Sequence, residues 1–202
     1  MNRSTTAVIA ASFLAAAVLA APSASSAKNG LGPATKTEVK AHLAPCCGSP
    51  EPDAHGDADR KTVSKPAGIH VDHFSADVEI PAPSPGLGVT DPALADVRVV
   101  LSRESIDYAE CFLRLDADET EGDEDDDAGA TQAEFQVKVL FVDRHGSPLL
   151  KEIKGRCDVD LATAGVQPGV PDVEAGDVAT ASVVDPATSI RTPFLQGTFV
   201  AK

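Results

Sequence analysis

Residues 133–161 carry the clearest alternation of apolar and polar positions in the chain. Phe135, Val137, Val139 and Phe141 recur at period two, with Gln136 and Lys138 between them. That is the pattern of a strand with one buried face. Asp143, Arg144, His145 and Gly146 follow as a turn cluster. Asp suits the first position of a turn, and Gly tolerates the positive φ of a tight closure. The chain returns through Leu149, Ile153, Cys157, Val159 and Leu161, all odd-numbered, which the pattern places on one face of a single returning strand. The segment reads as a β-hairpin.

Shorter stretches show the same period. IHVDHF and ADVEI alternate across 69–80, and a stiff loop follows with Pro81, Pro83, Pro85, Gly86 and Gly88. Residues 91–115 admit two readings. Asp91 before Pro92 is a good helix start, and Leu94, Val97, Leu101, Tyr108, Phe112 and Leu115 keep helical spacing. Yet Val97, Val99 and Leu101 alternate, as do Ala109, Cys111, Leu113 and Leu115, and the crowded valines favour a strand. Two strands, VRVVLS and YAECFLRL, around a RESID turn are preferred; the alternative is an α+β domain with a helix at 92–115. DVATASVV, a DPAT turn and SIRTPFLQGTFVAK read as two final strands. Roughly seven short strands with turn signals between them predict a mainly β domain over 69–202, an Ig-like antiparallel β-sandwich.

Upstream the pattern changes. Arg3 precedes an apolar, alanine-rich run from Ala7 to Ala21, which ends at Pro22 and small residues. This is the layout of a secretory signal peptide over 1–27, with cleavage expected after Ala27. No later stretch has the length of a membrane span. Residues 28–68 hold Pro33, Pro45, Pro50, Pro52 and Pro66, scattered charge and no aromatic residue, and are predicted to be a disordered Pro/Gly-rich linker. The expected location is secreted or periplasmic, and the Ala, Asp and Val bias suggests a bacterial source.

Charge narrows the partners. With 17 basic and 31 acidic residues the formal net charge is −14. An acidic chain without a basic cluster repels nucleic acid and anionic membranes. No Trp and one Tyr, Tyr108, leave little for sugar stacking.

Four cysteines remain after the leader. In an oxidising compartment an even count reads first as disulfides. Cys111 and Cys157 fall on apolar strand faces and are expected to bond, with Cα atoms roughly 4.4–6.8 Å apart. Cys46 and Cys47 are adjacent, and with His42 and His55 nearby they form a soft-metal candidate or a redox-labile pair. The acidic run 116–127 has nine Asp or Glu among twelve residues and is expected to be an exposed loop. Asp123, Asp125, Asp127 and Glu134 occupy positions one, three, five and twelve of an EF-hand-like spacing, a calcium candidate, although Ala128 stands where the turn Gly belongs. No G-x-S-x-G, H-E-x-x-H, P-loop or G-x-G-x-x-G occurs, and His145 at a hairpin tip reads as a solvated turn residue. The expected function is a non-enzymatic binding or cell-envelope module, whose partner is a protein or envelope component; the alternative is a metal-binding or thiol-redox accessory protein using Cys46 and Cys47. No cofactor is expected apart from the calcium candidate.

Overall fold

The computed structural model describes residues 32–116, 131–161 and 165–202. The leader expected at 1–27 lies outside them, as does all of the acidic run except Asp116. Among the described residues the regular structure is almost entirely strand: β1 (Thr35–Pro45), β2 (His55–Lys65), β3 (Ile69–Ala82), β4 (Asp96–Arg103), β5 (Ile106–Phe112), β6 (Arg114–Leu115), β7 (Thr131–Arg144), β8 (Ser147–Lys154), β9 (Arg156–Val159), β10 (Gln167–Pro168), β11 (Val178–Val184), β12 (Arg191–Thr198) and β13 (Val200–Ala201). Two single 3₁₀ turns, Pro85–Leu87 and Pro92–Leu94, are the helical content of this described part.

All pairings are antiparallel, in the order β10-β9-β5-β4-β11-β12-β1-β2-β3-β7-β6, with β8 also on β7 and β13 on β1. The sheet curls so that both halves of this path feed one apolar core. Phe74, Val78 and Ile80 of β3 and Phe135, Val137 and Val139 of β7 join Val97, Val99 and Leu101 of β4 and Ala179 and Ala181 of β11 in a single cluster. Strand β1 is the joint. Its residues Thr35 to Leu43 pair with β2, while Ala44 and Pro45 pair with Gln196 and Leu195 of β12. Gly197 permits this crossing, because a Cβ there would stand 2.3 Å from the His42 carbonyl oxygen.

Of the linker expected at 28–68, the described residues from 32 onward are strands and turns rather than disordered chain. β1 and β2 pair along Thr35–Leu43, and β2 pairs with β3 along His55–Lys65. The domain begins well before Ile69. The inward positions here are Ala41, Leu43, Gly56 and Ala58, small or few, so composition undercounts them. They fit because β2 lies close on β3: a Cβ on Gly56 would come within 2.4 Å of the Asp77 carbonyl oxygen.

The helix at 92–115 is also overturned. β4 and β5 form a hairpin closed by Glu104 and Ser105, with φ of 51° and 67°. Two consecutive left-handed residues match the twist of flanking strands, so this two-residue turn is tighter than the RESID loop expected. Only the single turn Pro92–Leu94 is helical, started by the Asp91 side chain accepting from Ala93 N.

The hairpin at β7 and β8 closes at His145 and Gly146, whose φ values are 55° and 79°. Its return is not one strand. β8 pairs with β7, Gly155 (φ 63°) breaks the run, and β9 pairs with β5 on the other half of the sheet. Cys157 is buried as expected, but Leu149 and Ile153 are exposed on the edge strand β8. That edge carries Pro148, Lys151 and Lys154, which discourage further pairing.

Cys111 and Cys157 are directly opposite across β5 and β9 and are disulfide-bonded, with Cα atoms 4.0 Å apart. The separation is shorter than expected. Cys157 O accepts from Gly169 N at 3.0 Å, on the side away from β5. The cysteines thus form a non-hydrogen-bonded pair, the closer of the two antiparallel arrangements.

Candidate functional site

An open cleft of 490 Å³ lies where β4 begins and β11 ends. One wall is the loop between β3 and β4. Within it Ser84 and Val89 bridge, and the buried Ser84 Oγ donates to Pro81 O at 2.5 Å. The other wall is the turn from β11 to β12. Asp185 N donates to Ile190 O (3.0 Å) and Ser189 N to Asp185 O (2.8 Å). Prolines, a backbone bridge and side-chain caps fix both walls, so the cleft is preformed.

The floor is apolar: Leu87, Val89, Val183 and Val184 are each buried. Leu94 stands at the mouth, 78% exposed. The polar lining is carboxylate and hydroxyl: Thr90, Asp91, Asp96, Asp185 and Thr192. Asp96 is neutralised by Arg98, at 2.6 Å. Asp91 Oδ1 accepts from Ala93 N (2.9 Å). Asp185 Oδ1 accepts from Ala187 N (2.7 Å) and Thr188 N (3.3 Å), and these N–H groups hold its pKa below the usual carboxylate value. Glu51 borders the same wall, since a Cβ on Gly86 would lie 3.0 Å from its Oε1. Among the described residues no Lys, Arg or His forms an ion pair with Glu51, Asp91 or Asp185, whereas Arg98 and the neighbouring Arg191 are taken up by Asp96 and Glu110.

The sequence candidates lie elsewhere. Asp123, Asp125 and Asp127 are outside the described residues; Glu134 is on β7, directly opposite Glu79 of β3 and bonded by the Gln136 amide. Cys46 and Cys47 are bonded to each other in the turn that leaves β1. His42 Nδ1 lies 3.2 Å from Asp57, and His55 lies 3.3 Å from Glu79, so the two histidines and the two cysteines are not gathered. Among the described residues no group of three or more His, Cys, Asp or Glu is arranged to hold a metal ion. His145 sits at the β7–β8 turn, its N–H donating to Gly68 O.

Two polar constellations were not legible in the sequence. Asp177, 2% exposed, accepts from Arg103 through both oxygens (2.8 and 2.9 Å), from Tyr108 Oη (2.8 Å) and from Glu174 N (2.9 Å). Burial opposes its charge, but Arg103 and the other donors hold its pKa low. Burial and that carboxylate push the Tyr108 phenol up. This is a clamp on the loop before β11. The second lies on the outer face of β2 and β3, where Asp57 opposes Asp77. Burial, then the charges of Asp57 and Glu134, push Asp77 up to about 6. Strand alternation would have placed these residues on one face, but only the register shows which are opposite.

Comparison of the chain with protein-family models, with curated proteins and with solved structures finds no match.

Proposed function

We propose that the protein is a secreted or periplasmic, non-enzymatic binding module that engages a protein or envelope partner through the cleft between the β3–β4 loop and the β11–β12 turn. The observation that carries this reading is the preformed, apolar-floored cleft at one end of the curled sheet, lined by Asp91 and Asp185, which have no cationic partner among the described residues. Loops held rigidly at the end of a β-scaffold are a common position for recognition. The finer description of the sheet as an Ig-like β-sandwich belongs to this reading and is supported by the single core that both halves share. The extracytoplasmic address is supported by the apolar run at Ala7–Ala21 and by disulfide-bonded cysteines. The non-enzymatic assignment rests on the missing catalytic motifs.

A photo-crosslinking residue in place of Leu94 tests this, with one in place of the exposed Ile106 as control. In the producing cell a discrete adduct is expected at Leu94 and none at Ile106. No adduct at Leu94, or equal adducts at both sites, would refute the cleft as the binding surface.

A second reading, a thiol-redox accessory, is favoured by one observation, the bond between adjacent Cys46 and Cys47 in a half-exposed turn. It requires two free thiols to appear under mild reductant that leaves Cys111–Cys157 intact.

A further inference from the structure

The cleft also specifies the chemistry of what it takes. Its floor offers Leu87, Val89, Val183 and Val184, an apolar surface of a few aliphatic side chains. Asp91 and Asp185 line the cleft and Glu51 lies beside Gly86 of its wall; none of the three has a cationic partner among the described residues. Asp91 and Asp185 each accept backbone N–H bonds at one oxygen, which fix their direction. Fixed carboxylates around an apolar floor attract a cation that carries apolar bulk beside it. The net charge of −14 adds long-range attraction of the same sign.

We propose that the cleft binds an extended peptide segment of a partner protein in which a Lys or Arg lies next to an aliphatic residue. The aliphatic side chain covers Val89 and Val183, and the cation reaches Asp91 or Asp185. A purely cationic polymer leaves the apolar floor wet, and a neutral apolar segment leaves the carboxylates without counter-charge. A bare metal ion is disfavoured because these carboxylates form no ligand cluster. The proposal rests on the cleft being the binding surface, and its test fails independently of that reading.

The test is selection of a random peptide library displayed on phage against the intact, oxidised protein, in parallel with a Glu51→Gln/Asp91→Asn/Asp185→Asn variant and a Leu94→Ser variant. Asn caps a turn nearly as well as Asp, so the triple variant keeps its backbone bonds, which a thermal melt verifies. Wild type should enrich sequences with Lys or Arg beside Leu, Ile or Val. Synthetic versions of the enriched peptides should bind the triple variant at least about tenfold more weakly and lose affinity as salt is raised. Leu94→Ser should weaken them less and leave the salt dependence unchanged. Enrichment without basic residues, basic peptides whose affinity the triple variant leaves intact, or no enrichment at all would each overturn the ligand assignment. If the Leu94 crosslink persists in cells under any of these results, the cleft still binds and only its ligand chemistry is wrong.

Discussion

At the residue scale, Asp77 and Gly155 show how placement sets the cost of an ordinary side chain. Asp77 is half-buried opposite Asp57, close to Glu134, and its pKa stands near 6. A carboxyl whose folded pKa is raised gives stability that is fully present below its unfolded value and lost as pH rises through about 6. At pH 7.5 the ionised Asp77 therefore costs free energy. Asp77→Asn should stabilise the protein by about 1–2 kcal/mol at pH 7.5 and by little at pH 4. Urea melts at the two pH values check this, and a gain equal at both would deny the strain of the opposed carboxylates. Gly155 has φ 63°, and a Cβ there would approach Phe112 O to 2.3 Å. Gly146 has φ 79° with nothing within 4 Å of such a Cβ. Gly146→Ala should cost about 1 kcal/mol, from backbone strain alone, and Gly155→Ala about 2–4 kcal/mol, because the carbonyl must also move. Equal losses in denaturant melts would mean that the strand break at Gly155 tolerates a side chain.

At the scale of elements, the sequence was most readable where large apolar residues alternate. β3, β4 and β7 follow that alternation, and the odd-numbered valines of β4 are buried as it requires. β1 and β2 were hidden because Ala41, Gly56 and Ala58 do the inward work, and small residues carry almost no hydropathy signal. β8 misled in the opposite direction. Leu149 and Ile153 have the character of core residues but lie on an edge strand, and Gly155 hands the chain to the other half of the sheet. The cleft was the least readable part. Its carboxylates come from segments almost a hundred residues apart, and Asp91 and Asp185 look in the sequence like ordinary turn formers. β9 is four residues long and is held to β5 by the Cys111–Cys157 bond. By chain entropy, closing a loop with a sequence separation of 46 stabilises the fold by about 4 kcal/mol. Cys111→Ala/Cys157→Ala should lose most of that in a denaturant melt, with earlier amide exchange in β9 and β10 than in β3 and β7. Uniform loosening across all strands would show that the bond does not act locally on this edge.

At the scale of the whole molecule, the curled sheet is a scaffold that holds two rigid loops about a cleft at one end. Antiparallel pairing of β3 with β7 over their full length, and the passage of β1 between the two halves, position those loops without any helix longer than one turn among the described residues. The outer face of β1–β3, by contrast, is laced with ion pairs such as Lys40–Asp57 and Lys61–Asp59, which suit a solvated surface. The proposed recognition end is thus separate from the solvated face. Amide hydrogen exchange of the protein, alone and bound to whichever partner unbiased chemical crosslinking recovers, tests that separation most directly. Protection on binding is expected in 86–96 and 183–192, with exchange unchanged on the outer face of β1–β3; protection centred on that face, with the cleft segments unaltered, would contradict it.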